Sequence, residues 1–253
     1  LAFETLSPNT VLNNPVVRSR SVTGGDGSIL VSAANFTCNN IRMDVVAGQN
    51  LLRLNTGAVN YAVNGGSIVS TGTYASANFT LIDVEGAASG SITLDSLENT
   101  TKTASCIRYQ SVTGANSFKI KRRAEGARMV GYNFCTGSFQ LDGAVDGDFS
   151  DLIIEGTGTT GDYVIRDVYA ATTGATAVTT TCPFKFRGTG SLTSTTNGIL
   201  YTSNVTKIEV SGKWGLLATA GTGLGVNATG AIEATIDGVE TEGFLSHIIV
   251  SFS

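Results

Sequence analysis

From about Phe79 onward the chain repeats one short pattern: two or three alternating apolar residues, a small or acidic residue, then a turn containing glycine. FTLIDVEG from Phe79, FKIKRRAEG from Phe118, FQLDGAVDG from Phe139, YVIRDV from Tyr163, FKFRGTG from Phe184 and IEVSGKWG from Ile208 all follow it. The better-marked units start at Phe118, Phe139, Tyr163, Phe184, Ile208 and Ile232, which are 21, 24, 21, 24 and 24 residues apart. A second set of apolar runs, near Ile107, Met129, Leu152, Val178, Ile199, Leu216 and Ile248, falls about half a period away. Two strands per period, with Gly, Asn and Thr turns in place of helices, predict an all-β solenoid, a parallel β-helix.

One such period cannot bury its apolar face alone, whereas stacked coils pair each backbone donor with the coil above or below. Superposing the periods puts Phe118, Phe139, Tyr163 and Phe184 in one interior column and Ile120, Leu141, Ile165 and Phe186 in the next. The alternative is an antiparallel β-sandwich, which also uses short alternating strands but needs recurrent tight hairpins. Asn-Gly occurs only at Asn64 and Asn197, and the Asp-Gly pairs lack regular strand partners, so the solenoid is favoured. Residues 1–30 hold two of the three prolines and space their apolar residues irregularly, which marks a lead-in or capping segment before a β-helix domain over residues 31–253. The closing HIIVSFS is strand-like with no polar cap, so a partner subunit or further sequence is expected to cover it.

Composition narrows the partners. Gly, Thr, Ser and Asn dominate, charged residues make up only 14%, and hydrophobic residues reach 42%, a profile that disfavours both helices and disorder. No apolar run approaches the roughly 20 residues of a membrane-spanning helix, so membrane insertion is not expected. A net charge of −4 gives no general attraction to nucleic acid. The chain opens at Leu1 without a basic and apolar leader, which suggests a processed or excised piece. Cys38, Cys106, Cys135 and Cys182 are too dispersed for a zinc site and read as buried free thiols; no metal and no cofactor is expected. The Asn-x-Ser/Thr sequons at Asn35, Asn78, Asn99, Asn204 and Asn227 are what chance gives in so Thr-rich a chain.

The densest chemical feature is DGAVDGDFSD, with Asp142, Asp146, Asp148 and Asp151. Its plain reading is a solvated acidic turn between two strands; a full Ca²⁺ loop is absent. A glycosidase needs an acid and a base about 5 to 10 Å apart, and the candidates are Asp146, Asp148, Asp151 and Asp167, with Asp83, Glu85, Asp95, Glu209, Glu233 and Asp237 also on outward positions. His247, the sole imidazole, sits in the apolar terminal strand, where a structural role is expected. GTGTTG from Gly156 matches a dinucleotide fingerprint but is followed by an alternating DYVIRDVY instead of a helix, so it reads as a turn, as do the Gly-Thr-Gly pieces at Gly188 and Gly221. Lys119, Lys121, Arg122, Arg123 and Arg128 form the one basic cluster; Lys119 and Lys121 project outward from a strand whose Phe118 and Ile120 point in, which reads first as a solvated outer face and second as a grip on anionic polysaccharide or lipopolysaccharide phosphate. Trp214, Tyr74, Tyr169 and Tyr201 are candidate sugar-stacking platforms. Tyr109, Tyr163 and Phe184 are expected in the core.

These features, the Gly/Thr/Ser/Asn-rich coils, the FxLxD and FKFRGTG strands and the low charge, resemble over residues 30–253 the right-handed parallel β-helix of bacteriophage tailspikes and tail fibres, a pectate-lyase-like architecture. The resemblance is architectural and transfers no catalytic residue. It implies a homotrimer at the virion tail, outside the cell, that attaches to host surface polysaccharide or lipopolysaccharide. Trp214, Tyr169, Tyr201, Lys119 and Lys121 would be its glycan contacts. A glycoside hydrolase or polysaccharide lyase acting on that polymer is the first alternative, and a structural or adhesive β-helix, such as a virion shaft or bacterial adhesin, the second.

Overall fold

Alternating apolar residues send every second side chain to one face of a strand, and a chain of such strands closes a core only by winding so that these faces meet. A computed structural model shows that winding. It describes residues 3–19, 28–46, 50–74, 79–133, 139–149, 154–157, 183–194, 199–202, 207–218, 222–228, 233–243 and 246–252. The protein is an all-β parallel solenoid, with no helix among the described residues and every paired strand parallel to its neighbour.

The chain passes alternately through two sheets. Strand β1 (Phe3–Thr5) opens a sheet of short strands, and β2 (Val11–Asn13) and β3 (Val16–Ser19) open a sheet of long ones. Then β4 (Ile29–Val31), β6 (Leu52–Leu54), β8 (Thr80–Glu85), β10 (Ser105–Gln110), β12 (Arg128–Asn133) and β14 (Ile154–Thr157) extend the first sheet. Between them β5 (Thr37–Val45), β7 (Val59–Ser70), β9 (Ser89–Asn99), β11 (Asn116–Gly126) and β13 (Phe139–Phe149) extend the second, followed by β15 (Pro183–Ser194), β17 (Lys207–Ala218), β19 (Glu233–Ile236) and β20 (Val239–Glu242). A third sheet holds β16 (Ile199–Thr202), β18 (Thr222–Ala228) and β21 (Ser246–Phe252). The segment expected as a lead-in thus carries the terminal strands of both main sheets.

Like side chains lie over like. In the short-strand sheet Ile29, Leu52, Ile82 and Ile107 form one buried column, and its register continues through Val130 and Ile154. In the long-strand sheet Cys38, Val63, Ile92 and Phe118 form another, continued in register by Leu141, Phe186, Val210 and Ile236. Each fully buried residue of this size contributes about 2 kcal/mol. Phe118 and Ile120 are both buried as expected, but the partner of Phe118 is Leu141, while Phe139 faces Asn116. The expected stack was therefore two residues out of register, a slip that keeps every side chain on its own face because the strand period is two. A second difference is larger. β13 pairs directly with β15, so that sheet has no rung between them, although a strand at Tyr163 was expected there; Tyr163 and Ile165 lie outside the described residues. The Gly-Thr-Gly at Gly188 lies inside β15 instead of a turn.

The interior tolerates one polar chain that spans two rungs. Tyr61 is buried, and its hydroxyl donates to Oδ1 of Asn116, on the strand beyond the next. The rung between offers Gly90, whose Cβ would lie 2.1 Å from the Tyr61 carbonyl oxygen and 2.8 Å from Cγ of its ring, so the missing side chain makes room for both. Asn99 is also fully buried: its Nδ2 donates to the Gly72 carbonyl at 2.9 Å, and its Oδ1 accepts from the Thr103 and Ala104 amides at 2.7 and 3.0 Å. That sequon asparagine closes a turn.

Two outcomes follow from this packing. Gly66 has a φ of 96°, and a Cβ there would lie 1.9 Å from the Ile41 carbonyl oxygen, whereas Gly65, at φ 77°, has nothing within 4 Å. Gly65→Ala is expected to cost about 1 to 2 kcal/mol for its backbone conformation alone, and Gly66→Ala to prevent folding or shift the denaturation midpoint far more; equal midpoints would refute the close approach. Burial pushes the Cys38 thiol up to about 12 and raises that of the buried Cys106. Iodoacetamide at pH 8 should therefore leave both unlabelled in native protein, as read by peptide mapping, and label both in denaturant.

Candidate functional site

The first three rungs of the long-strand sheet turn at single residues able to take left-handed backbone angles. Asn14, Asn40 and Gly65, one per coil, have φ of 51°, 54° and 77°. Asparagine and glycine adopt this region most readily. The terminal rung shows the bend as a break: β2 and β3 are separate strands, yet both pair with β5.

The bend is held by stacked side-chain amides. Asn64 Nδ2 donates to Asn39 Oδ1 at 3.0 Å and Asn39 Nδ2 to Asn13 Oδ1 at 2.9 Å; Asn40 Nδ2 donates to Asn14 Oδ1 at 2.9 Å. At the preceding corner Asn60, Asn35 and Asn9, all with positive φ, form a third column with bonds of 3.4 and 3.0 Å. These ladders were legible as asparagines recurring 26 and 25 residues apart, in the part of the chain before the alternating repeat becomes plain.

On the outer side the bend encloses a groove of about 670 Å³, lined by Asn14, Val16, Asn40, Arg42, Asp44, Ser67, Val69 and Asp95 with Ile41, Met43 and Gly66 beneath. It crosses four consecutive rungs, from β3 to β9. Asp95 closes one end, where its Oδ2 accepts the Gly66 amide at 3.2 Å and its Oδ1 lies 3.4 Å from Lys121 Nζ. The Gly66 bond, with Lys121 and Arg122 adding to it, holds the Asp95 carboxyl below the usual carboxylate range.

Charges continue along the outer face. Glu98 and Glu125 are direct register neighbours in β9 and β11, and Arg123 stands between them at 3.6 and 3.1 Å. In β13, Asp146 lies opposite Arg123 and Asp148 opposite Glu125. Asp142, Asp146 and Asp148 thus belong to a strand, which corrects the expectation of an acidic turn. On the short-strand sheet Asp83, only 1% exposed, accepts from Arg108 Nε and Nη2 at 2.9 and 2.7 Å and from Asn50 Nδ2 at 2.9 Å, while Arg53 binds both oxygens of Glu85 at 3.1 and 3.0 Å. With its oxygens taken, Asp83 reads as a structural ion pair.

The expected glycan contacts are only partly gathered. Lys119 and Lys121 are exposed on β11; Lys119 lies opposite Thr93 and Asp142, and Lys121 is engaged with Asp95. Trp214 is on the same sheet in β17, in register with Gly190 and Val239. Tyr201 is in β16 of the third sheet, opposite Val226. Asp151, Asp167 and Tyr169 lie outside the described residues. Tyr74 is buried, with its hydroxyl donating to Ser70 Oγ at 3.2 Å, so it is not a sugar platform. Tyr109 is in the core as expected. Among the described residues, no group of three or more His, Cys, Asp or Glu side chains is placed to hold a metal ion, and no helix is long and apolar enough to cross a membrane.

No protein-family model, curated protein or solved structure matches the chain. The class is therefore set by architecture: a parallel β-solenoid whose bent long-strand sheet carries a polar groove.

Because the folded value of Asp95 is depressed, its contribution to stability is complete above its unfolded value near 3.8 and is lost as pH falls through the lower folded value. A ¹³C carboxyl titration should place the Asp95 midpoint below 3.8, and Lys121→Ala should raise it; a midpoint at or above 3.8 would contradict the Gly66 and Lys121 contacts.

Proposed function

We propose that the chain is the receptor-binding solenoid of a bacteriophage tail protein, a homotrimeric tailspike or tail fibre that recognises host cell-surface polysaccharide or lipopolysaccharide. What carries this reading is the groove itself, where Asn14, Asn40, Arg42, Asp44, Ser67 and Asp95 present side-chain donors and acceptors along the solenoid axis. A repeating polymer is best met by a surface that repeats its hydrogen-bonding groups at a fixed interval, here the spacing of about 4.8 Å between strands. From β5 to β9 those groups stand on strands hydrogen-bonded on both sides, so little backbone order has to be imposed on binding. The resemblance to tailspikes and tail fibres in coil composition and strand pattern gives the biological setting, at the virion tail.

A second reading, depolymerisation of the bound polymer, is favoured by one observation: Glu98 and Glu125 occupy successive rungs in direct register, an interval of about 4.8 Å, close to the 5 to 5.5 Å or so used by retaining glycosidases. Arg123, between the two glutamates, would orient them.

Immobilised bacterial capsular polysaccharides and lipopolysaccharides should capture the protein, and Arg42→Ala combined with Asp44→Ala should weaken capture about tenfold or more, consistent with losing hydrogen bonds to two charged groups. No capture by any surface glycan would overturn the reading. Size-exclusion chromatography of the polymer after incubation separates the two readings: shortened chains that Glu125→Gln leaves intact indicate hydrolysis, and unchanged length indicates binding alone.

A further inference from the structure

The bend groove has a chemical bias that the glycan reading alone does not specify. Its lining side chains include the carboxylate Asp44 beside the guanidinium Arg42, and a second carboxylate, Asp95, that is paired with Lys121. The ladder Asn14–Asn40 also stops at this point, because the next rung carries Gly65, which has no side chain to donate to Asn40 Oδ1. The exposed Arg42 therefore offers donors only, Asp44 acceptors only, and Asn40 an unmatched acceptor, all on one strand within five residues. Val16, 59% exposed, and Val69 add apolar surface beside them.

We infer that this groove is a subsite for an uncharged run of sugar rings, and that Arg42, Asp44 and Asn40 set its specificity. The inference rests on the glycan reading above and adds the substrate class and the place where it binds. A hydroxyl both donates and accepts, so neighbouring hydroxyls on one ring satisfy Arg42 on one side and Asp44 or Asn40 on the other. The carboxylate of an acidic sugar satisfies Arg42 alone and meets Asp44 as a like charge, Asp95 being already engaged by Lys121 and the Gly66 amide. The valines suit the C–H faces of pyranose rings. Three steps between strands, from β3 to β9, give the groove a length of roughly 14 Å, enough for more than one ring.

The test is calorimetric titration of the intact chain with neutral oligosaccharides (glucan, mannan and galactan fragments) and with acidic ones (oligogalacturonate and sialylated chains), at low and at moderate salt. Ser67→Trp fills the groove from an outward position, and Asp44→Asn removes one carboxylate while keeping its shape; far-UV circular dichroism checks that both fold. The expected result is that at least one neutral fragment binds, that acidic fragments bind tenfold or more weakly, that Ser67→Trp abolishes binding of the neutral fragment, and that Asp44→Asn narrows the gap between the two classes. Equal or tighter binding of acidic fragments overturns the specificity, and undiminished binding by Ser67→Trp overturns the location while leaving the glycan reading intact. Failure of every fragment and of the intact polysaccharides to bind overturns both together.

Discussion

In a parallel solenoid the backbone of every interior strand is hydrogen-bonded on both sides, so register fixes which residue lies above and below any other. This constraint governs the rest of the molecule. Interior columns must contain residues that pack on near copies of themselves, and Ile29, Leu52, Ile82 and Ile107 do so with little change in volume. Where volume does change, it is compensated along the column: the ring of Tyr61 is accommodated by Gly90 on the next rung and its hydroxyl satisfied by Asn116 on the one beyond.

Outside the core the same stacking sorts side chains by charge. Amides gain from lying on identical neighbours, since each donates one way and accepts the other, and the asparagine columns use this over three successive coils. Ionised groups of one sign about 4.8 Å apart repel. The outer columns accordingly alternate or interpose charges: Arg53, Asp83 and Arg108 follow one another in register on the short-strand sheet, and Arg123 lies between Glu98 and Glu125 on the long one.

This physical layout explains how far the sequence could be read. Alternation with a regular return of Phe and Ile was enough for the all-β parallel solenoid, and face assignments such as Phe118 and Ile120 inward survive because alternation determines them directly. Register did not, since the spacing of the marked units shows where each pattern begins and not which residue it faces: Phe118 and Phe139 begin similar units, yet Phe118 pairs with Leu141. Constant spacing also placed a rung at Tyr163, whereas 45 residues separate Leu141 from its partner Phe186. The groove was missed for a different reason. Asp146, Asp148, Trp214 and the lysines stand out in the sequence because those residue types carry chemistry, while the groove depends on the backbone angle at Asn14, Asn40 and Gly65. The recurring Asn-Asn pairs at Asn13–Asn14 and Asn39–Asn40 were its one visible trace.

On a repetitive surface the places able to discriminate are those where the repeat fails. A perfect ladder satisfies its own donors and acceptors and leaves none for a ligand, as the column of Asn13, Asn39 and Asn64 largely does. Gly65 on the next rung ends the adjacent column and frees one acceptor on Asn40, while the missing Cβ of Gly66 lets it press on the backbone of Ile41. The glycine therefore leaves an unmatched polar group beside a concavity whose bend it shares with Asn14 and Asn40. Gly65 itself has open space around it, so an asparagine would fit there and take the same left-handed angle. That glycine is consequently not demanded by packing, and the ladder could continue without it. A position free to hold the repeat but departing from it leaves Asn40 Oδ1 open to solvent, where a hydroxyl of the proposed glycan would stand in for the missing amide.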